Sequence, residues 1–145
     1  MTGEIIQAIG NSKKSAMNIK GETVIVKKTA EEVFTFFIDL HNFKKIMPDT
    51  IQKFEVDGNS FLFGLPGMPE IRLVLTKKTE FSNITLGAAS SKLPFTLAAD
   101  ISVLSEKNTE VTLNFEGDFN PMMTMMIKKP LTKFVETLSE NISKL

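Results

Sequence analysis

The sequence predicts an α+β domain in which a curved antiparallel sheet wraps around a long C-terminal helix. Three observations carry this. Strand-like alternation, broken at intervals by turn residues, runs from Ile51 to Phe115, and hairpin-spaced strands of that kind form an antiparallel meander. A short capped amphipathic helix precedes the meander, and a much longer apolar helical stripe follows it. A sheet with one wet face must cover its apolar face, and only the last helix is long enough to do so.

Met1 to Ser15 are polar and rich in small residues, with a helical hint only in Ile5, Ile6 and Ile9. Residues 1–16 therefore read as an N-terminal appendage, either a flexible tail or a short helix packed on the domain. The domain itself is 17–145, and Met17 is a second candidate start. The first strand alternates Glu22, Val24 and Val26 with Thr23, Ile25 and Lys27. Thr29-Ala-Glu-Glu32 then forms a capping box, Thr29 as N-cap and Glu32 reaching back. Ala30, Val33, Phe34 and Phe37 share one face of the helix that follows. Asp39 to Met47 reads as a second short helix, stopped by Pro48.

The meander comes next. Ile51, Phe54 and Val56 lead to the Asp57-Gly58-Asn59 turn. Phe61, Phe63 and Leu65 precede the Pro66-Gly67-Met68-Pro69 loop, and Ile71, Leu73 and Leu75 follow it. Further strands run through Ile84 to Ala88, Leu97 to Val103 and Val111 to Phe115, with turns at Ser82-Asn83, Ser90-Ser91-Lys92 and Lys107-Asn108. The expected total is about six to seven strands. Gly64, Gly67 and Gly87 mark bulges or bends. Asn120-Pro121 opens the last helix, with a good cap and proline at the first position. Its stripe is Met123, Ile127, Leu131, Phe134, Leu138 and Ile142, over about 24 residues and so roughly 36 Å. Pro130 removes a backbone hydrogen bond within it, predicting a kink near Ile127.

Composition narrows the function classes. At 145 residues the chain is one domain, and a domain of that size buries roughly 68–70% of its unfolded surface without metal or disulfide support. The absence of cysteine excludes disulfides, thiolate metal sites and thiol catalysis together. With 17 basic and 17 acidic residues there is no positive field to draw nucleic acid. Arg72 is the only arginine, so no arginine cluster can hold a phosphate. The longest apolar runs fall short of the ~20 residues of a membrane span. No signal-peptide stretch opens the chain, so the expected location is cytoplasmic. Twelve phenylalanines with no tyrosine or tryptophan predict an interior without aromatic hydrogen-bond donors.

The order strand, two short helices, meander, long helix resembles the helix-grip fold of the START and Bet v 1-like proteins, the SRPBCC superfamily. The most specific piece is Thr29-Ala-Glu-Glu-Val-Phe-Thr-Phe-Phe-Ile-Asp-Leu-His-Asn-Phe43, a strand entering a capped helix and then an Asp-x-x-Asn-aromatic turn. Ile46-Met47-Pro48 matches the usual close of the second helix. The resemblance covers Met17 to Leu145 and implies a cavity between helix and sheet, opening near the short helices and the strand-connecting loops. By alternation and stripe, its candidate lining is Phe37, Phe54, Phe61, Phe63, Leu73, Leu97, Ala99, Phe115, Met123, Ile127, Leu131 and Phe134. The alternative for each is solid core.

Residues with chemistry are few. His41, the one histidine, sits in a turn where polar groups usually satisfy backbone, and no serine or acid is positioned by local sequence to form a relay with it. Arg72 and Asp100 fall on the alternation phase opposite Leu73 and Ile101, so the expected position is the solvated face. No catalytic residue, metal ligand or cofactor site is assigned. Met122, Met123, Met125 and Met126 cannot all face the core at 100° per residue, so Met122 and Met125 or Met126 should be partly exposed, as a cavity lip or a protein-docking patch. The resemblance implies non-catalytic binding or transport of a small hydrophobic ligand, of lipid, isoprenoid or polyketide type. The alternatives are a protein-interaction module and a cyclase or aromatase-like enzyme.

Overall fold

The computed structural model describes residues 15–68, 70–89 and 95–145. The expected turn at Ser90-Ser91-Lys92 and the tail up to Lys14 lie outside the described residues. Among the described residues eight strands form one antiparallel sheet: β1 (Ser15–Lys20), β2 (Val24–Val26), β3 (Lys53–Asp57), β4 (Ser60–Gly64), β5 (Ile71–Thr79), β6 (Asn83–Ala88), β7 (Phe95–Ser105) and β8 (Asn108–Phe119). Between β2 and β3 come helix α1 (Ala30–Ile38) and a 3₁₀ helix (Leu40–Ile46), and after β8 the helix α2 (Pro121–Ser143). This is the helix-grip arrangement expected from the sequence.

The strand order is β1-β8-β7-β6-β5-β4-β3, with β2 also on β8. Here the sequence reading needs correction. The single first strand expected at Glu22 to Lys27 is the second half of an edge that opens at Ser15, two residues inside the expected appendage. β1 pairs Ser15 to Lys20 with Phe119 to Asn114, and β2 pairs Val24 to Val26 with Val111 to Thr109. Three residues, Gly21 to Thr23, oppose two on β8 and bulge the edge. At the break the Gly21 N–H donates to the Leu113 carbonyl at 2.8 Å. A Cβ on Gly21 would lie 2.7 Å from Ser139 Oγ and 3.1 Å from Val135 Cγ1. Glycine at this point is what lets the sheet edge touch α2.

Period-two alternation sorts the sheet. Phe61, Phe63, Ile71, Leu73, Ile84, Leu86, Leu97, Ala99, Leu113 and Phe115 are buried on the concave face. The other face carries polar ladders: Asn18 donates to Glu116 at 2.9 Å, Asn83 to Asp100 at 2.8 Å, and the Thr23 and Thr112 hydroxyls lie 2.7 Å apart. Into the concave face α2 presses Ile127, Leu131, Phe134, Val135, Leu138 and Ile142, each worth roughly 1.5–3 kcal/mol on full burial. Pro130 lies inside that helix, where it offers no N–H to the Met126 carbonyl.

The short helices form as their caps dictate. Thr29 Oγ1 accepts from the Glu32 N–H at 3.1 Å, and Glu32 Oε1 accepts from the Thr29 N–H at 3.0 Å. Asn42 donates to the Phe36 carbonyl at the end of α1 (2.9 Å), and Asp39 accepts from the His41 N–H (3.1 Å). One tie was invisible to periodicity: Asn141 of α2 donates to the Ile46 carbonyl at 2.8 Å, closing the long helix onto the 3₁₀ helix.

Candidate ligand-binding site

The space between sheet and α2 has two ends that differ in packing. At the end near the short helices, phenylalanines fill it. Phe43 and Phe54 each stack on Phe61, at 5.0 and 5.2 Å. Phe37 meets Phe43 at 5.7 Å, and Phe63 lies parallel to Phe134 at 5.0 Å and 7°. Offset stacking at such separations is the favoured aromatic geometry, and among the described residues these rings pack against one another at this end.

At the opposite end lies a small hollow. Its walls are Met68, Ile71, Phe95, Phe115, Phe119, Met123, Ile127 and Leu131, and its volume is about 10 Å³. That is about what one water requires. Among the described residues no polar side chain lines it. The Phe95 and Phe115 rings stack at 5.1 Å along its floor, with Phe119 6.3 Å from Phe95. Phe119 can fold back there because Gly117 has no side chain: a Cβ would lie 2.5 Å from its ring. Beside the hollow, Pro48, Leu65, Pro66, Pro130 and Phe134, with Thr50, Lys133 and Thr137, form an open groove of about 250 Å³. The β4–β5 loop separates the two, giving Leu65 and Pro66 to the groove and Met68 to the hollow.

Of the twelve residues anticipated, Phe115, Met123, Ile127 and Leu131 line the hollow and Phe134 lines the groove. Phe37, Phe61 and Phe63 are buried, and half-buried Phe54 stacks on Phe61. Leu73, Leu97 and Ala99 are buried on the inner face. Sequence reasoning missed Met68, Ile71, Phe95 and Phe119. Extending the Leu73 and Leu97 alternation by one step would have found Ile71 and Phe95. Met68 lies on a loop and Phe119 beyond the strand as read, so neither left a signal.

The polar candidates lie elsewhere. His41 is exposed, with Nδ1 3.1 Å from Asp39 Oδ1. That contact and the His41 backbone N–H hold the Asp39 carboxyl below its ordinary pKa. Arg72 faces the outer side and donates to Ser60 Oγ at 2.9 Å, and Asp100 accepts from Asn83 on the same side. Neither Arg72, Asp100 nor His41 reaches the hollow. At the start of α2, Met122, Met125 and Met126 are exposed while Met123 turns inward. Both alternatives, Met125 and Met126, are thus exposed. Among the described residues no helix is long and apolar enough to cross a membrane.

No family model matches this chain and no curated protein matches it in sequence. Solved structures do match in shape. Norcoclaurine synthase from Thalictrum flavum, in complex with dopamine and hydroxybenzaldehyde, superposes with a TM-score of 0.68 at 12% identity, over 94% of this chain and 89% of that one. A Thermobifida fusca protein solved by NMR gives 0.63 at 14%, over 88% and 94%. A Thermus thermophilus protein gives 0.65 at 12%, over 88% and 95%. With the sheet order and the gripped helix, these superpositions identify the architecture as the Bet v 1-like helix-grip fold.

Proposed function

We propose that this protein binds a small hydrophobic molecule, of lipid, isoprenoid or polyketide type, without transforming it, as a cytoplasmic carrier or sensor. The observation that carries the reading is the hollow itself: eight apolar side chains, none able to donate or accept a strong hydrogen bond, converge under the first half of α2. Such a lining favours an apolar guest. A cyclase or aromatase needs several polar groups turned inward, and the three candidates for that role point elsewhere.

At about 10 Å³ the hollow has room for little more than one water. Occupancy requires the walls to part. Met68 and Met123 are flexible side chains suited to yielding. The helix above them runs unbroken through Pro130, but there the Met126 carbonyl lacks its usual N–H donor. Opening would shift the β4–β5 loop against the turns before Pro130, and the guest would lie on Phe95, Phe115 and Phe119.

The test is to denature freshly purified protein and compare its organic extract, by mass spectrometry, with a mock purification. A reproducible, stoichiometric apolar compound is the expected result. A clean extract, joined to failure of the protein to take up fatty-acid or isoprenoid probes saturably, would sink the reading. The filled aromatic end and the exposed methionines support a second reading, in which the first half of α2 docks on another surface.

A further inference from the structure

We propose that the first half of α2 is a docking face for an anionic lipid bilayer. Met122, Met125 and Met126 are 74%, 83% and 63% exposed. Their spacing puts them on one side of the helix, and Lys129 and Lys133 continue that side seven and eleven residues after Met122. Lys128 flanks them, and all three lysines are exposed. Among the described residues none of the three lies within salt-bridge distance of a carboxylate.

The charge is one-sided. From Pro121 to Val135 the helix contains no acidic residue, and Glu136 is the first. The acids just before it in the chain, Glu116 and Asp118, pair opposite Asn18 and Ala16 on the outer face of the sheet. A chain with zero net charge thus concentrates lysine beside exposed apolar side chains over about three turns. Apolar groups that enter the headgroup boundary, next to lysines that meet phosphates, are the features an anionic bilayer recognises. An uncharged apolar partner would use the methionines and leave the lysines without a role. Met123, on the same turns, lines the hollow, so this face is also the lip of the proposed ligand site.

The proposal rests on reading this face as a docking surface and is independent of whether a ligand is bound. Its test is flotation of the full chain with phosphatidylcholine vesicles, with and without phosphatidylglycerol, beside sedimentation equilibrium of the protein alone. We expect flotation with the anionic vesicles only, weakening as salt rises. Binding should fall about tenfold or more in M122S/M125S/M126S and in K128E/K129E. Both variants should keep the wild-type circular dichroism and melting temperature, because the altered side chains are exposed. Absence of flotation, or flotation unchanged by either variant, overturns the bilayer as partner. If the methionine variant instead splits a dimer seen in sedimentation, the face belongs to a second copy: the bilayer fails and the docking reading survives. If neither vesicles nor self-association responds, both fall.

Discussion

The Phe81 ring stands edge-on to Phe34, with centroids 5.7 Å apart and planes at 90°, on a residue whose backbone is left-handed at φ 62°. A bulky side chain in that region costs about 1–2 kcal/mol. The contact offsets the cost by pinning the β5–β6 turn to α1, so one residue couples the hairpin end of the sheet to the short helices.

Phe81→Ala should therefore destabilise the protein by about 1–2 kcal/mol, because it keeps the backbone strain and loses the ring contact. Phe81→Gly should lose less, since glycine adopts this conformation freely. Urea unfolding of the pair reads the difference. A glycine variant less stable than the alanine one would remove backbone strain from the account.

A second prediction concerns the place where the sheet edge meets α2. Gly21→Ala should cost about 1–3 kcal/mol, the usual range for overpacking, because its Cβ would sit 2.7 Å from Ser139 Oγ. Ser139 Oγ is buried with no hydrogen-bond partner among the described residues. Ser139→Ala should leave stability equal or raise it by up to about 1 kcal/mol. The double variant should be more stable than the sum of the two singles predicts, since the clash is with the atom removed.

Acid should loosen the short helices. The Glu32 carboxyl is held below its ordinary pKa by the Thr29 backbone N–H and then the Thr29 side chain, and Asp39 by the His41 side chain and then its N–H. A depressed carboxylate contributes stability that is complete above its unfolded pKa and is lost as pH falls through the folded one. Stability should thus be level near neutrality and decline below the ordinary carboxylate range. Glu32→Gln with Asp39→Asn should flatten that decline, as melting temperature against pH would reveal.

Pro130→Ala returns an N–H to the Met126 carbonyl. Stability should rise by about 1–3 kcal/mol, as expected on removing a proline from a helix interior. If apolar ligands enter by displacement of the helix before Pro130, the same change should slow amide exchange at residues 122–127 and slow uptake of an apolar probe. Faster exchange in the variant would argue that the proline is not what weakens this stretch.

The fold was legible because its signals are local and repeated. The capping box at Thr29 and Glu32, the Asn120-Pro121 start and the stripe from Ile127 to Ile142 each occupy one short window. Alternation placed Phe61, Leu73, Leu97 and Phe115 on the inner face, and it put Arg72 and Asp100 outside. β1 escaped notice because Ala16, Met17 and Asn18 have weak strand character alone. Their pairing is fixed by Asp118, Gly117 and Glu116, 98 to 102 residues away.

Periodicity specifies which face a side chain takes, since that depends only on its own backbone. It does not specify how much room remains between two faces, because volume depends on every side chain meeting from both. That Phe43, Phe54 and Phe61 stack solid at one end, while Met68, Phe95, Phe119 and Met123 leave a hollow of about 10 Å³ at the other, is settled by contacts between distant segments. The chain's local chemistry was enough to establish a helix gripped by a sheet. Where that grip is tight, and where it leaves space, was decided by tertiary packing, because close packing is a collective property of all the surfaces that meet.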